Sequence, residues 1–257
     1  MQTSKFKKAT VVISLDDGDD DGFRLYETVF KKYQLSATYN VVTTLLDIEE
    51  RLTMEQLKIL HNDPLTEIAA HGHTHQNDDE DVSKSAELLC QWLDIKEGII
   101  GFASPGSKMR NGFIEENAEH LRSLGLLYVR TSKNTTPSER HLQLQEKLKA
   151  QGAPDYVVAH AVDLSYGFEG LCINSVAIYH DTTVENMKGL VELAVAESAC
   201  IVLMFHRVKK PGEKNYEGKL CYDYDSFVEL AEYLSQMRDA GKIDILTTEQ
   251  AYRLGKI

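Results

Sequence analysis

Short apolar runs of strand length alternate along this chain with amphipathic segments of helical period. Val11–Leu15 is the first run. Tyr26, Val29, Phe30 and Tyr33 follow at i, i+3, i+4 and i+7, which is one face of a helix. Thr38–Val42 reads as the second strand. Thr53 with Gln56 then forms a capping box ahead of Leu57 and Leu60. Glu67–Ala70 is short and strand-like, a helix is expected in the Ser83–Lys96 region, and Ile99–Ala103 is a further strand. Ile114, Ala118 and Leu121 share one helix face, with Gly125 as its stop. Leu126–Arg130, Tyr156–Ala161 and Leu171–Tyr179 read as extended. A strong helix carries Val184, Met187, Leu190, Val191 and Ala194 before the buried strand Ile201–Phe205. Phe227, Leu230, Leu234 and Met237 mark a helix ended by Gly241. Ile243–Leu246 is the last strand, with a short helix from Thr248.

Repeated strand-then-helix units with near-continuous apolar strands predict an α/β protein whose parallel sheet is covered by helices. There are enough units to close a barrel; an open doubly wound sheet is the alternative. No Gly-rich dinucleotide or phosphate loop follows the first strand, which counts against the nucleotide-binding version. No repeat, low-complexity tract or linker interrupts the chain, and its five prolines are scattered, so residues 1–257 are expected to form one domain. That length is ordinary for an α/β barrel.

Composition narrows the partners. Hydrophobic residues make up 42% and charged residues 26%, a globular mixture. A net charge of −12 argues against nucleic acid or an anionic membrane as the main partner. Cys90, Cys172, Cys200 and Cys221 form no CxxC pair and read as reduced, partly buried small hydrophobes. The start, MQTSKFKKATVVISL, has no long apolar stretch before a small-residue cleavage site. The expected location is cytoplasmic, or secreted if a leader has been removed.

The chemistry gathers at strand ends. Asp16-Asp17-Gly18 directly follows the first strand, and His71-Gly72-His73-Thr74-His75 follows Glu67–Ala70. Pro105-Gly106 comes just after Ile99–Ala103, Arg130 ends its strand, and His206 follows Ile201–Phe205. In a parallel barrel those ends converge on one mouth, where barrel enzymes keep their active sites. His71 and His75 are four apart, so on a helical turn their rings face the same way. One carboxylate added to them makes a metal site with an open position. Either Asp16 or Asp17 can supply it, leaving the other beside the metal as a base. His73 points away on a helical turn and suits a supporting or surface role. Each piece alone has a plainer reading: Asp-Asp-Gly as a turn, Asp16–Asp21 as a solvated or calcium-binding loop, His206 as a core histidine. Their joint register with strand ends favours function.

These segments resemble the polysaccharide deacetylase family, also called the NodB-homology or carbohydrate esterase family four type. ISLDDG is similar to the family's TFDDG motif. EIAAHGHTHQND is similar to its H-(S/T)-x-x-H segment, GFASPGS to its third motif, and IVLMFHRV to its last. YQLSATYNVV and the tail stretches YDYDSFVELAEYL and IDILTTEQA carry the likeness over nearly the whole chain. The resemblance implies a distorted, TIM-like (β/α)7 barrel. It implies Asp16 as catalytic base, Asp17, His71 and His75 as metal ligands, and His206 as general acid. The implied metal is one divalent ion, zinc, with cobalt, nickel or manganese as alternatives. Three departures stand out. Ala103 replaces an Arg that braces the catalytic Asp, and Arg130 within YVRT is the candidate to take its place. Gly106 replaces an aromatic after Pro105. Gly72 replaces a Ser/Thr, so a supporting hydrogen bond is missing. Asp163 is the candidate partner for His206.

The expected reaction is hydrolysis of an N-acetyl amide on an amino sugar, with the Gly106 backbone N–H helping to hold the oxyanion. Two rivals differ from it: an amidase acting on a cyclic amide or small acylated metabolite, and a carbohydrate-binding relic of the fold without turnover.

Overall fold

The structure is a computed structural model that describes residues 4–132 and 136–256. Seven parallel strands run in chain order around a ring. They are β1 (Ala9–Leu15), β2 (Ala37–Val41), β3 (Thr66–Ala70), β4 (Ile100–Ala103), β5 (Leu126–Ser132), β6 (Cys172–Ala177) and β7 (Cys200–Phe205). The ring closes where β1 pairs with β7 over Thr10–Leu15 and Cys200–Phe205. The parallel-barrel expectation therefore holds, and the open sheet does not. Two short strands, β8 (Arg207–Lys209) and β9 (Cys221–Asp223), pair with each other beyond β7. A last strand, β10 (Ile243–Leu246), runs beside Ala9–Val12, whereas β2 pairs with β1 only at Ser14 and Leu15. β1 thus has β10 alongside its first half and β2 at its end.

Every residue of β1, β2 and β7 is buried, as strands covered on both faces require. The main apolar core lies between the ring and the helices around it. Leu57 and Leu60 reach it from Met54–His61, Leu230 and Leu234 from Tyr224–Asp239, and Leu190 and Val191 from Val184–Glu197. The capping box of Thr53 and Gln56 is formed, with both reciprocal hydrogen bonds present.

Four expectations are corrected. Tyr156–Ala161 is not a strand but lies mostly in the helix Asp155–His160, entered from Pro154. Its Val157 packs on the helix Val184–Glu197 at Gly189, where an added Cβ would sit 2.8 Å from Val157 Cγ2. The single helix expected around Ala118 is two, Asn111–Glu116 and Ala118–Ser123, parted at Asn117. The helix expected at Ser83–Lys96 begins earlier and spans Asp79–Trp92. The face Tyr26–Tyr33 is helical but includes a π-helical stretch, Tyr26–Phe30. All four cysteines are free thiols, Cys200 and Cys221 buried and Cys90 and Cys172 half-buried. No helix among the described residues is long and apolar enough to cross a membrane.

Candidate metal centre at the barrel mouth

Because the strands are parallel, their C-terminal ends share one mouth. β1 delivers Asp16 there. Its N–H donates to Phe205 O at 2.9 Å, which continues the pairing with β7 one residue past the strand. Asp17 and Gly18 then take left-handed backbone conformations (φ 71° and 68°) and turn the chain away. Asp is one of the few side chains that tolerate this region. The Asp17 carbonyl accepts a hydrogen bond from Arg51 Nη1 at 3.0 Å, which steadies the turn.

Asp16 and Asp17 have different surroundings. Asp16 is buried, and both of its oxygens accept from Arg130 Nη2 at 2.6 and 2.7 Å. Asn40 Nδ2 donates to the same carboxylate at 2.8 Å. Burial alone would raise the pKa of Asp16. Arg130, with His71 and His206, outweighs that and holds it below the ordinary carboxylate range. Asp17 faces the histidines. His71 Nε2 lies 3.4 Å from Asp17 Oδ1, and His75 Nε2 lies 3.5 Å from it. Burial opposes ionisation of Asp17 too, but the hydrogen bond and charge of His71, with His206 and His75, keep its pKa low. The pKa of His71 is raised: burial works against its charge, and Asp16 and Asp17 more than offset it.

His71 directly follows β3 and is buried. Its Nδ1 lies 2.8 Å from Ala103 O, which can only accept, so Nδ1 carries an N–H and Nε2 is the ring atom turned toward Asp17. Ala103, the position that lacks the brace arginine, thus orients the His71 ring through its backbone carbonyl. The turn carrying His75 is not helical, contrary to expectation: Gly72 (φ 83°) and His75 (φ 65°) are left-handed. The two rings still converge, with centroids 4.9 Å apart. His73 turns elsewhere, its Nδ1 lying 2.7 Å from Thr43 Oγ1.

Asp17, His71 and His75 each offer one ligand atom, and these atoms lie within 4.8 Å of one another. Ligands at zinc distances in a tetrahedron stand about 3.3 Å apart. The 3.4 and 3.5 Å separations from Asp17 Oδ1 therefore suit a small divalent cation with two imidazoles and one carboxylate. The three side chains border a pocket of about 200 Å³ together with Asp16, Ser104, Gly106, Ser107, Ser132, Tyr179, Met204, His206 and Leu220.

The other expected residues fall as follows. His206 lines the pocket, and its Nδ1 is buried without a hydrogen-bond partner among the described residues. Asp163 does not pair with it; Asp163 Oδ2 lies 2.9 Å from Nδ1 of His160. Gly106 lines the pocket with φ 58°. Pro105 lies behind it, its carbonyl accepting from Asn77 Nδ2 at 3.0 Å. In the later part of the acidic run Asp20 is exposed, whereas Asp19 and Asp21 are buried and paired with cationic side chains. Asp19 is buried against Arg51 (3.0 Å) and Arg207 (3.4 Å), and Asp21 against Lys209 (3.5 Å) and Arg24 (3.6 Å). Burial pushes the pKa of Asp19 up to about 6 despite the two arginines. Two contributors went unread in the sequence: Asn40, a polar residue inside an apolar strand, and Asp81, one acid among several at a helix start.

Fold and site together define a parallel α/β barrel with an Asp-His-His cluster at its mouth that could hold a metal ion. Residues 3–98 match the family model described as polysaccharide deacetylase, the stretch that carries the first two of the motifs read in the sequence. That stretch contains Asp16, Asp17, His71 and His75, whereas Arg130 and His206 lie beyond it. No curated protein matches the sequence significantly. Among solved structures, a polysaccharide deacetylase from Bacillus cereus is 18% identical, with 69% of this chain and 50% of that chain covered and a TM-score of 0.47. The match thus spans half the length of that protein. A family 4 acetyl xylan esterase from Clostridium thermocellum in complex with a cobalt ion is 14% identical, with 95% and 91% covered and a TM-score of 0.51. A peptidoglycan N-acetylglucosamine deacetylase in complex with an N-oxidanyl-benzamide is 12% identical, with 98% and 91% covered and a TM-score of 0.52. These last two likenesses establish the (β/α)7 barrel fold.

Proposed function

We propose that the protein is a divalent-metal-dependent hydrolase that removes the acetyl group from an N-acetylated amino sugar. The observation that carries this reading is the convergence of Asp17, His71 and His75 with a separately braced Asp16 and with His206 around one pocket. The bound cation would polarise the acyl carbonyl and acidify water. Asp16 stays ionised beside Arg130 and so can take the proton of the attacking water. His206, at the same pocket, gives a proton to the leaving amine, which is a poor leaving group as an anion. Met204 and Leu220 supply apolar lining against which an acetyl methyl would rest. The backbone N–H of Gly106 is the candidate oxyanion donor, placed at the pocket by the left-handed turn.

A second cavity of about 240 Å³ shares Ser132 and Tyr179 with the first and is lined by Tyr156, His160, Asp163 and Asp181. Hydroxyls, an imidazole and carboxylates suit the hydroxyls of a sugar better than they suit an apolar amide. The test is acetate release by metal-loaded protein from N-acetylated chito-oligomers, set beside a panel of small and cyclic amides. Release from the oligomers, lost in Asp16→Asn with the metal retained, is the expected result. Turnover confined to the small amides would move the substrate, and full activity of Asp16→Asn would remove Asp16 as the base.

A further inference from the structure

The loop that presents His75 belongs to no helix or strand, so its backbone N–H groups need partners elsewhere. Asp81 supplies them from the first turn of the helix Asp79–Trp92. Its Oδ2 accepts from the N–H of His73 at 2.8 Å and of Gln76 at 3.0 Å. Its Oδ1 accepts from the N–H and the hydroxyl of Thr74, both at 2.6 Å. The donors bracket His75 on either side. Asp81 is itself anchored, since its own N–H donates to Asp78 Oδ1 at 3.1 Å. The four donors hold its pKa down against burial, so the group remains a carboxylate.

Gly72 fits the same arrangement. A Cβ on Gly72 would lie 2.5 Å from Asp81 Oδ2, and its φ of 83° disfavours any side chain. The Ser/Thr of the resembled motif and the Asp81 carboxylate therefore exclude one another in this loop.

We propose that Asp81 is a positioning residue for the metal centre. Its carboxylate braces the loop and holds His75 at ligand geometry, and residue 72 is glycine so that the carboxylate can reach. This rests on the reading of Asp17, His71 and His75 as metal ligands.

The test is a titration of the metal-free protein with Co²⁺, below all melting temperatures, followed by the visible spectrum of the ion. Asp81→Ala should weaken affinity roughly 10- to 100-fold, the range found when groups orienting metal ligands are removed. Asp81→Asn keeps one acceptor oxygen and should fall between Asp81→Ala and the wild type; it also carries the comparison if Asp81→Ala does not fold. Glu87→Gly, at an exposed site on the same helix, should lower the melting temperature and leave affinity and spectrum unchanged. Wild-type affinity in Asp81→Asn and Asp81→Ala, or an equal loss in Glu87→Gly, would overturn the positioning role while leaving the ligand assignment intact. Failure of the wild type to bind Co²⁺ would instead remove the ligand assignment, and the positioning role with it.

Discussion

At the scale of single residues, the decisive contrast is between two adjacent aspartates. Asp16 is tied by Arg130 and Asn40, and Asp17 faces two imidazoles. One side chain is thereby kept charged beside a buried arginine and its neighbour is turned toward the imidazoles, although the sequence presents them as equivalent. Arg130 is almost fully buried, and its remaining contact to Ser175 Oγ at 3.2 Å leaves Asp16 as its charge partner. Removing one member of such a pair strands the other charge in the interior, which costs about 3–5 kcal/mol. Arg130→Met is expected to lose stability of that order in denaturant unfolding; a loss below about 1 kcal/mol would show that Asp16 finds another partner. The position of Arg130 was legible because strand ends point to one mouth. Asp81 was not, because acids at a helix start are explained by the helix dipole alone, and its partners are backbone amides that a sequence does not display.

At the scale of elements, the strands were readable because burial on both faces demands continuous apolar runs. The exception, Tyr156–Ala161, has β-branched valines, yet two helices meeting at Gly189 override that local preference. The helix Glu139–Ala150 went unread because few of its positions are apolar, with Leu144 and Leu148 among the buried ones. The foot of the barrel hides another feature. Glu67 of β3 is buried and accepts from Tyr128 Oη (2.6 Å), Thr38 Oγ1 (2.9 Å) and the N–H of Glu249 (2.8 Å), joining β2, β3, β5 and the helix Thr248–Gly255. Burial pushes its pKa up to about 7 despite these donors. A carboxyl that is more basic when folded stabilises fully below its unfolded pKa, and that contribution is lost as pH rises through about 7. Glu67→Gln should therefore flatten the fall in stability between about pH 4.5 and 7, by roughly 1–3 kcal/mol. Unfolding curves at several pH values that keep the wild-type slope would contradict this.

At the scale of the whole molecule, the centre joins chain segments that are far apart in sequence. A cation that binds only the folded ring stabilises it by mass action, by about 4 kcal/mol at a thousandfold excess over its Kd. Saturating Zn²⁺ or Co²⁺ is expected to raise the melting temperature by roughly 10 °C, reversibly with a chelator, and to leave Asp17→Ala unmoved. An equal rise in Asp17→Ala would place the stabilising ion elsewhere.

The pairing of β1 has one more consequence. All three candidate ligands lie between residues 17 and 75, so they are synthesised well before the strands β7 and β10 that pair with β1. Yet β1 leans on Cys200–Phe205 and Ile243–Leu246, and only Ser14 and Leu15 find a neighbour in β2. At ribosomal speeds of about 5–20 residues per second, the strand that aims Asp17 waits on the order of ten seconds or more for its partners. Contacts so distant in sequence form late, because loop closure precedes any reward. The donor atoms therefore exist long before their geometry does, and capture of the metal becomes a last act of folding rather than its seed.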